Sequence, residues 1–382
     1  MSLNPLDLLN RLIACPSVTP DEAGALDVLE AALTDIGFSV TRLRFDGDGS
    51  YPVDNLFAIR GSTGRRLLFA GHTDVVPPGD LRNWTSDPFT PRTADGKLYG
   101  RGAADMKSGI AAFVAAVSAV PADAGTVMLA ITNDEEADAI NGTDKLMVWA
   151  REHQHHFDFA LVGEPSSAAT LGDSIKIGRR GSLSGIITVT GSQGHVAYPD
   201  KANNPMPALA RVVTALDTGI DDGTEHFPAS NLEVTSIDVG NAISNVIPAA
   251  GTIRFNIRYN DRWTPETLAD WVRARLASVD AAGTKISFEL AGAPSRSFLS
   301  PLSADVETLV TTIADLTGQR PTLSTGGGTS DARFIAQYGP VVECGLVGPS
   351  MHKADEHIAL SDLTGLTEIY RAFMLRFFGG PT

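Results

Sequence analysis

Cysteine is nearly absent from this sequence, since the 382 residues include only Cys15 and Cys344. Two cysteines so far apart do not make a disulfide framework, and neither has the CxxC partner of a redox or metal-binding pair. We expect both to be small apolar side chains in the core. The same scarcity favours a protein of the cytoplasm.

Positive charge and long apolar runs are also scarce. The chain has 30 Lys and Arg against 45 Asp and Glu, a formal charge of −15, which argues against a nucleic-acid partner. The longest apolar stretch, GIAAFVAAVSAV (Gly109 to Val120), is too short to span a bilayer. The N-terminal segment has no basic region ahead of a long apolar run, so it does not resemble a secretory signal. We therefore expect a soluble protein with no membrane partner.

Apolar residues, in contrast, are plentiful enough for more than one core. A chain of 382 residues with 43% hydrophobic content predicts two domains. Strand-like runs such as RRLLFAGH, TVMLAIT and FDFALVGE alternate with helical patterns at Met106 to Val120 and Asp144 to Glu152. Helical patterns return at Pro301 to Thr317 and Ser361 to Phe378. This alternation predicts an α/β domain, with its site just beyond the C-terminal ends of the strands.

A different order of elements occupies residues 181–293. Its patterns predict strand, helix, two strands, helix and strand, over LSGIITVTG, NPMPALARVVTALDTG, NLEVTSIDVG, GTIRFNIRYN, TPETLADWVRARLASV and TKISFEL. This βαββαβ order is typical of a small ferredoxin-like α+β domain. We predict that it is inserted into the first domain, which then comprises residues 1–180 and 294–382.

Histidines and acidic residues follow the predicted strands of the first domain. His72 ends the strand of RRLLFAGH, and Asp74 shares its face in extended chain, where it can accept a hydrogen bond from the imidazole. Asp105 precedes a helical run, where its simplest role is an N-cap. Singly, each residue is an ordinary polar side chain. Together they form a set of imidazole and carboxylate groups that suits zinc: His72, Asp105, Glu136, Glu164 and His352.

The size of this set bears on the number of metal ions. One catalytic zinc takes three protein ligands and a water molecule, whereas two zinc ions that share Asp105 would use all five candidates. Such paired ions lie about 3.5–4 Å apart. Glu135 is then left over beside Glu136. Because successive side chains diverge, we expect Glu135 to act as the general base that later protonates a leaving amine.

The inserted domain and the two residues just before it supply further candidates. His195 lies in the loop GSQGHVAYPDKANNP; it is either an ordinary surface histidine or, in a lid, a donor to the oxygen that becomes negative during amide attack. Arg179, Arg180 and Arg258 suit bidentate capture of substrate carboxylates, and ordinary surface salt bridges are the alternative.

Two glycine-containing segments do not match nucleotide-binding loops. GRGAAD has Asp105 where a dinucleotide loop needs its third glycine, and STGGGTSDARF lacks the Lys-Ser/Thr step of a phosphate loop. The second segment instead predicts backbone donors for a carboxylate around Gly327 and Thr329, with a flexible loop as the alternative.

The motifs taken together resemble a known family. GHTDVVP, GRGAADMK, NDEEADAINGT, GEPSS, IKIGRRGSLSG, GHVAYP, GGTSDARF and MHKADE are similar to segments of the succinyl-diaminopimelate desuccinylases, within the aminoacylase and carboxypeptidase-type di-zinc hydrolases. The resemblance covers nearly the whole chain. It implies a catalytic domain with a central mixed sheet flanked by helices, and an inserted lid and dimerisation domain.

The resemblance also implies two Zn²⁺ per subunit, with Co²⁺ as an alternative in one site. His72 and Glu164 would hold one ion, Glu136 and His352 would hold the other, and Asp105 would bridge them.

Further roles come from the same resemblance. Asp74 would support His72, Glu135 would be the acid and base, and His195 would enter the neighbouring active site of a homodimer. Three residues of the inserted domain are implicated in substrate contact: Tyr198, Asn245 and Arg258.

The expected reaction is hydrolysis of N-succinyl-LL-2,6-diaminopimelate to succinate and LL-2,6-diaminopimelate, a step of lysine and diaminopimelate biosynthesis. One alternative is another amide hydrolase of the superfamily, such as an N-acetylornithine deacetylase, an aminoacylase or a dipeptidase. A second alternative, a metal-dependent binding protein without catalysis, is disfavoured by Glu135.

Overall fold

The computed structural model describes residues 3–379. It contains two compact units, each described here by itself. The first unit comprises the chain up to Ile177, Ser300–Ser324 and the chain from Ser330 onwards, and the second comprises Gly178–Leu299 and Thr325–Thr329.

The helices are α1 (Pro5–Ile13), α2 (Ala25–Asp35), α3 (Ser108–Ser118), α4 (Thr143–Glu152), α5 (Met206–Leu216), α6 (Pro265–Ala277), α7 (Ala304–Thr317), α8 (Ala332–Ile335) and α9 (Leu360–Phe377). The strands are β1 (Ser39–Gly47), β2 (Ser50–Arg60), β3 (Arg66–His72), β4 (Arg92–Ala94), β5 (Lys97–Tyr99), β6 (Thr126–Thr132), β7 (Phe159–Val162), β8 (Ser174–Lys176), β9 (Gly178–Arg179), β10 (Gly181–Thr190), β11 (Gly194–His195), β12 (Asn231–Asp238), β13 (Val246–Ile247), β14 (Ala250–Tyr259), β15 (Lys285–Leu290), β16 (Phe298–Leu299), β17 (Thr322–Ser324), β18 (Val341–Glu343) and β19 (His357–Ala359).

The first unit is built around a mixed sheet of strand order β1-β2-β6-β3-β7-β18-β8-β17. Its central strands β6, β3, β7 and β18 are parallel to one another, and β2 and β8 flank them antiparallel. The central strands are mainly apolar and almost wholly buried, as expected for parallel strands covered on both faces. The predicted α/β fold with a central mixed sheet is confirmed.

The chain ahead of α3 differs from the sequence expectation. The predicted helix began at Met106, whereas α3 begins at Ser108 because Asp105 and Met106 have non-helical backbone angles. Lys107 is the N-cap residue, so Asp105 does not cap the helix and the N-cap interpretation is wrong. The first turn of α3 packs closely on the end of β7: a Cβ at Gly109 would lie 2.3 Å from the carbonyl oxygen of Gly163.

The second unit has the predicted βαββαβ order and forms an antiparallel sheet, β12-β14-β10-β15. Along β10 buried and half-buried residues alternate, so that one face of the sheet is in the core. Helices α5 and α6 cover that face with residues such as Leu209, Val212 and Leu268, which join Ile187 and Phe255 of the strands in one core cluster. The ferredoxin-like prediction is confirmed.

The borders of the second unit differ from residues 181 and 293 of the sequence prediction. The unit begins at Gly178 and ends at Leu299 because β9 pairs with β16. It also takes in Thr325–Thr329, where Arg179 Nη1 donates a 3.1 Å hydrogen bond to the carbonyl oxygen of Gly328.

Both cysteines are buried and free, as predicted. Burial raises the pKa of the Cys344 thiol to about 12. Among residues 3–379, no helix has both the length and the apolar content to cross a membrane.

Candidate metal centre

Strand register brings several candidate residues to one edge of the first unit's sheet. His72 pairs with Thr132 of β6, three residues before Glu135. Ala70 pairs with Val162 of β7, so Glu164, two residues beyond Val162, is level with His72. The parallel strands therefore end together, and the polar residues that follow them converge.

Asp105 lies between two histidines. Its Oδ1 is 3.3 Å from His72 Nε2, and its Oδ2 is 3.3 Å from His352 Nε2. The aspartate is 8% exposed. A carboxylate that presents one oxygen to each of two imidazoles has the arrangement of a bridging ligand.

Each histidine faces a second carboxylate as well. Glu164 Oε1 lies 3.5 Å from His72 Nε2, and Glu136 Oε1 lies 3.1 Å from His352 Nε2. The structure thus brings all five predicted ligands together, in two groups that share Asp105.

Glu135 belongs to the same cluster. Two sets of three residues each bring potential ligand atoms within 4.8 Å of one another. One set is His72, Glu135 and Glu164, and the other is His72, Asp105 and Glu136. Both sets contain His72, so they do not by themselves divide the carboxylates between two positions. The shorter contacts of the two Nε2 atoms, 3.1–3.5 Å, place Glu164 beside His72, Glu136 beside His352, and Asp105 beside both.

The contact between His72 and Asp74 differs in detail from the prediction. His72 Nδ1 lies 2.9 Å from the backbone carbonyl oxygen of Asp74 and 3.5 Å from its carboxylate Oδ1. The carbonyl oxygen can only accept, so it holds the proton on Nδ1 and leaves Nε2 free for a ligand role.

The carboxylate of Asp74 is engaged elsewhere. Its Oδ2 accepts hydrogen bonds of 3.1 Å from the backbone N–H of Glu135 and of Glu136, and of 2.8 Å from the hydroxyl of Thr19. Asp74 is fully buried. It therefore fixes the backbone of the adjacent glutamates as well as the imidazole.

The electrostatics of the cluster are those of crowded, buried carboxylates. Burial, together with the charge of Asp105, raises the pKa of Glu164 to about 7. Burial and the charge of Glu164 raise the pKa of Glu135 well above its usual range. Hydrogen bonds to Asp105 and Glu136 raise the pKa of His352 to about 10. This excess of negative groups over two imidazoles fits divalent cations, which would relieve the repulsion.

Sequence reasoning gave no role to two buried carboxylates beside the cluster. Glu356 accepts hydrogen bonds from the chain that carries Asp105. Asp331 accepts a 2.6 Å hydrogen bond from Thr143, and burial raises its pKa to about 6. Both follow a predicted site residue in a quoted motif, MHKADE or GGTSDARF. Their positions in those motifs could have identified them as candidate site residues.

Other predicted residues lie in the second unit. His195 pairs with Val246 between the short strands β11 and β13, and its Nδ1 accepts a 3.1 Å hydrogen bond from Ala197 N–H. Tyr198 is 56% exposed, and Asn245 is also exposed. The loop thus presents His195 to the surface of its unit.

Arg180 and Arg258 lie side by side in this unit. Arg180 Nη1 donates a 2.9 Å hydrogen bond to Asn231, which pairs with Arg258 across the strands. Arg180 Nε and Arg258 Nη1 are buried without a hydrogen-bond partner. Burial and the charge of Arg180 lower the pKa of Arg258. The pair thus offers spare donors and positive charge for an anionic group.

Arg179 has a different setting. It is 7% exposed and supports the glycine-rich loop through Gly328. Gly327 has a φ of 103°, and a Cβ there would lie 2.6 Å from Arg179 Nη1, so this position requires glycine. Thr329 ends the same segment and is half-buried.

Comparison with known families and proteins adds to this geometry. The model of the family described as Peptidase family M20/M25/M40 matches residues 68–376. A succinyl-diaminopimelate desuccinylase of Methylorubrum populi is 52% identical over 383 residues, which cover 98% of each chain. One from Rhodopseudomonas palustris is 51% identical over 381 residues, again 98% of each chain.

Solved structures of lower identity share the fold. An aminopeptidase from Bacillus cereus has a TM-score of 0.78 at 22% identity and covers 98% of this chain and 99% of its own. A Bacillus subtilis protein described as a dinuclear metal-binding peptidase of family M20 has a TM-score of 0.71 at 12% identity, covering 99% and 98%.

Proposed function

Because the chain belongs to the M20/M25/M40 peptidase family, whose members include its desuccinylase relatives, we propose that it hydrolyses N-succinyl-LL-2,6-diaminopimelate to succinate and LL-2,6-diaminopimelate. The chain is a hydrolase. Identity of about half over nearly the full length supports this substrate, which gives the enzyme its place in lysine and diaminopimelate biosynthesis. Two free, buried cysteines fit the reducing cytoplasm.

Two divalent ions per subunit, Zn²⁺ with Co²⁺ as an alternative in one site, fit the donor set. We assign His72 and Glu164 to one ion, His352 and Glu136 to the other, and Asp105 to both. When bound, such a pair polarises the amide carbonyl and lowers the pKa of a water molecule.

Glu135 is the proton-transfer residue in this proposal. Asp74 accepts hydrogen bonds from the backbone N–H groups of both Glu135 and Glu136. The side chain of Glu136 lies against His352. Glu135 takes the proton of the water that attacks the amide carbon and delivers it to the nitrogen as the C–N bond breaks. The products are then a carboxylate and a free amine.

The substrate carries several carboxylates, although the chain has a net charge of −15. Local positive charge must therefore attract it. Arg258 and Arg180 are suited to this role since each has a buried N–H group without a partner. Backbone donors around Gly327 and Thr329 would hold a second carboxylate, with Arg179 keeping that loop in place.

His195 is proposed as the donor to the carbonyl oxygen that becomes negative. Its Nδ1 is occupied by Ala197 N–H, so Nε2 is the nitrogen available to the substrate. Large apolar side chains beside it are exposed: Val196 46%, Tyr198 56% and Ile243 58%. Such a patch fits an interface, and we propose a homodimer in which His195 acts in the active site of the partner subunit. Tyr198 and Asn245 are proposed as further substrate contacts.

The observation that carries the proposal is the shared position of Asp105 between His72 and His352, with Glu135 beside them. The experiment is a comparison of kcat/KM for N-succinyl-LL-2,6-diaminopimelate and N-acetylornithine at equal metal loading. We expect a clear preference for the succinylated substrate and loss of turnover after exhaustive chelation, with recovery on addition of Zn²⁺. A preference for acetylornithine would overturn the substrate, and full activity without metal would overturn the mechanism.

A further inference from the structure

The carboxylate of Glu356 accepts four hydrogen bonds, two at each oxygen. It is 1% exposed. Its Oε1 accepts hydrogen bonds from Ala104 N–H at 2.8 Å and Asp105 N–H at 3.1 Å. Its Oε2 accepts from Gly102 N–H at 3.0 Å and from Arg101 Nη1 at 2.6 Å. Both oxygens thus bind the one turn that presents Asp105.

We propose that Glu356 is a positioning residue of the metal centre, and that it sets the orientation of the bridging carboxylate of Asp105. This inference rests on the metal centre of the proposed function. Glu356 is not among the five residues assigned to the metal ions. It acts on the backbone that carries their shared ligand, in the way that partners behind metal ligands generally fix ligand orientation.

The turn around Asp105 needs such support because its backbone departs from helical geometry at two successive residues. Asp105 has backbone angles of φ −123° and ψ 102°, and Met106 of φ −129° and ψ 30°, so neither is helical. The N–H groups of Ala104 and Asp105 both bind Glu356 Oε1. Without the carboxylate these buried donors would have no acceptor. Because unsatisfied buried N–H groups are unfavourable, we expect the turn to shift.

Glu356 also links Asp105 to the other side of the centre. His352 lies four residues earlier in the same segment. The backbone carbonyl of Glu356 accepts a 2.9 Å hydrogen bond from Gly100 N–H, and β19 pairs with β5 directly beyond it. Arg101 Nη1, which binds the carboxylate, also lies 3.4 Å from the carbonyl oxygen of Lys353. The positions of Asp105 and His352 are therefore set together.

The chemistry of the site requires a carboxylate rather than an amide. In Glu356→Gln, one of the two oxygens becomes an NH₂ group. Either orientation of the amide then points N–H groups at existing donors, which are Gly102 N–H and Arg101 Nη1 on one side, or Ala104 N–H and Asp105 N–H on the other. Glu356→Asp keeps both acceptor atoms but shortens the side chain by one methylene. We expect Gln to be the more damaging change, and Asp to be intermediate.

The test measures metal binding directly. Wild type, Glu356→Gln and Glu356→Asp are loaded with Co²⁺, and the visible absorption of the bound ion and its loss to a competing chelator are recorded, alongside turnover. We expect Gln to change the absorption spectrum and to lower the affinity for the bound metal by about 10- to 100-fold, the range found when ligand-supporting groups are removed. Asp should fall between Gln and wild type.

The control separates positioning from general loss of stability. Leu366→Ala removes a fully buried side chain of α9 in the same unit, without polar contact to the centre. It should lower the unfolding temperature yet leave the Co²⁺ spectrum and affinity as in wild type. The inference is overturned, while the proposed function stands, if Glu356→Gln has the wild-type spectrum and affinity. It is also overturned if Leu366→Ala changes the spectrum and the affinity as much as Glu356→Gln does. If wild type itself binds no metal, the proposed function fails first.

Discussion

Asp74 Oδ2 accepts a 3.1 Å hydrogen bond from the backbone N–H of Glu136, and the same oxygen accepts another from Glu135. One buried carboxylate thus fixes the backbone of two adjacent glutamates. Because successive side chains of a chain diverge, one can face a metal position while the other faces the reacting water. Glu135 and Glu136, which are proposed to have different roles, therefore provide a matched pair of substitutions.

Glu135→Gln should leave both metal ions bound while kcat falls by about 100-fold or more, because the amide cannot accept the proton of the attacking water. The measurements are steady-state kinetics and metal content after gel filtration. Near-normal turnover would show that the base is another residue.

Glu136→Gln is the matched change one residue on. It should weaken metal binding, because Glu136 faces His352. The expected loss is at least about 10-fold in metal affinity, and excess metal should restore part of the activity. If Glu135→Gln loses metal and Glu136→Gln does not, the two roles are exchanged.

Asp74→Ala should lower metal affinity by about 10- to 100-fold, because it leaves the N–H groups of Glu135 and Glu136 without their acceptor. Asp74→Asn keeps one acceptor oxygen and should have a smaller effect. Thr19→Val is the control since it removes only the hydroxyl donor to Asp74. Chelator competition measures all three, and equal affinities for Ala and wild type would contradict the positioning role.

Much of this site could be predicted from the sequence because it lies where regular elements end. His72 and Glu164 each end an apolar run, and the ends of parallel strands meet at one sheet edge. The sequence identified Asp105 as a candidate ligand, but it could not predict the surroundings of this residue. Its turn depends on Glu356, 251 residues away in sequence, and no local pattern reports such a contact.

The domain borders show the same limit. Sequence periodicity located the inserted βαββαβ segment, whose helices and strands have strong local patterns. It could not assign Thr325–Thr329 to that unit, since contacts such as those of Gly328 with Arg179 and of Thr325 with His226 join residues far apart in sequence and leave no trace in composition. The partner of His72 Nδ1 was also unpredictable in detail, because a carbonyl and a carboxylate of the same residue compete for it.

Asp221 should make stability depend on pH within the second unit. Burial acts to raise its pKa, but hydrogen bonds outweigh it and lower the pKa from 3.8 to about 2. The donors include Ser230 N–H at 3.1 Å, Gly223 N–H at 2.8 Å and Trp263 Nε1 at 2.8 Å. A depressed carboxylate pKa stabilises the fold above pH 4, and this stabilisation is lost as pH falls toward 2.

The change that tests this pH dependence is Asp221→Asn. It should lower the unfolding temperature at pH 7, and the difference from wild type should shrink between pH 4 and pH 2, where wild-type Asp221 itself becomes neutral. Thermal unfolding followed by circular dichroism measures it. A difference that stays constant over this window would show that the charge of Asp221 does not contribute.

Arg258→Met should weaken use of the succinylated substrate, because a charge-assisted hydrogen bond contributes about 1.5–3 kcal/mol. The corresponding loss in kcat/KM is about 10- to 100-fold. An N-butyryl substrate has the same acyl length without the terminal carboxylate and should be affected little. Arg254→Met, on the same strand with an exposed side chain, is the control. Equal losses on both substrates would show that Arg258 does not recognise the succinyl carboxylate.

The proposed homodimer predicts that two inactive variants restore activity when mixed. Glu135→Gln lacks its base and His195→Ala lacks its oxyanion donor, so each homodimer should be nearly inactive. If His195 acts in the partner's site, a mixed dimer has one site with Glu135 from its own subunit and His195 from the other. Random exchange of subunits then gives about a quarter of wild-type activity, since about half of the dimers are mixed and each has one competent site. If His195 acts in its own subunit, every site in the mixture lacks one of the two groups, and activity stays at the level of the separate variants. Exchange is verified by mass spectrometry of differently tagged subunits, so that absence of rescue counts against the shared site rather than against mixing.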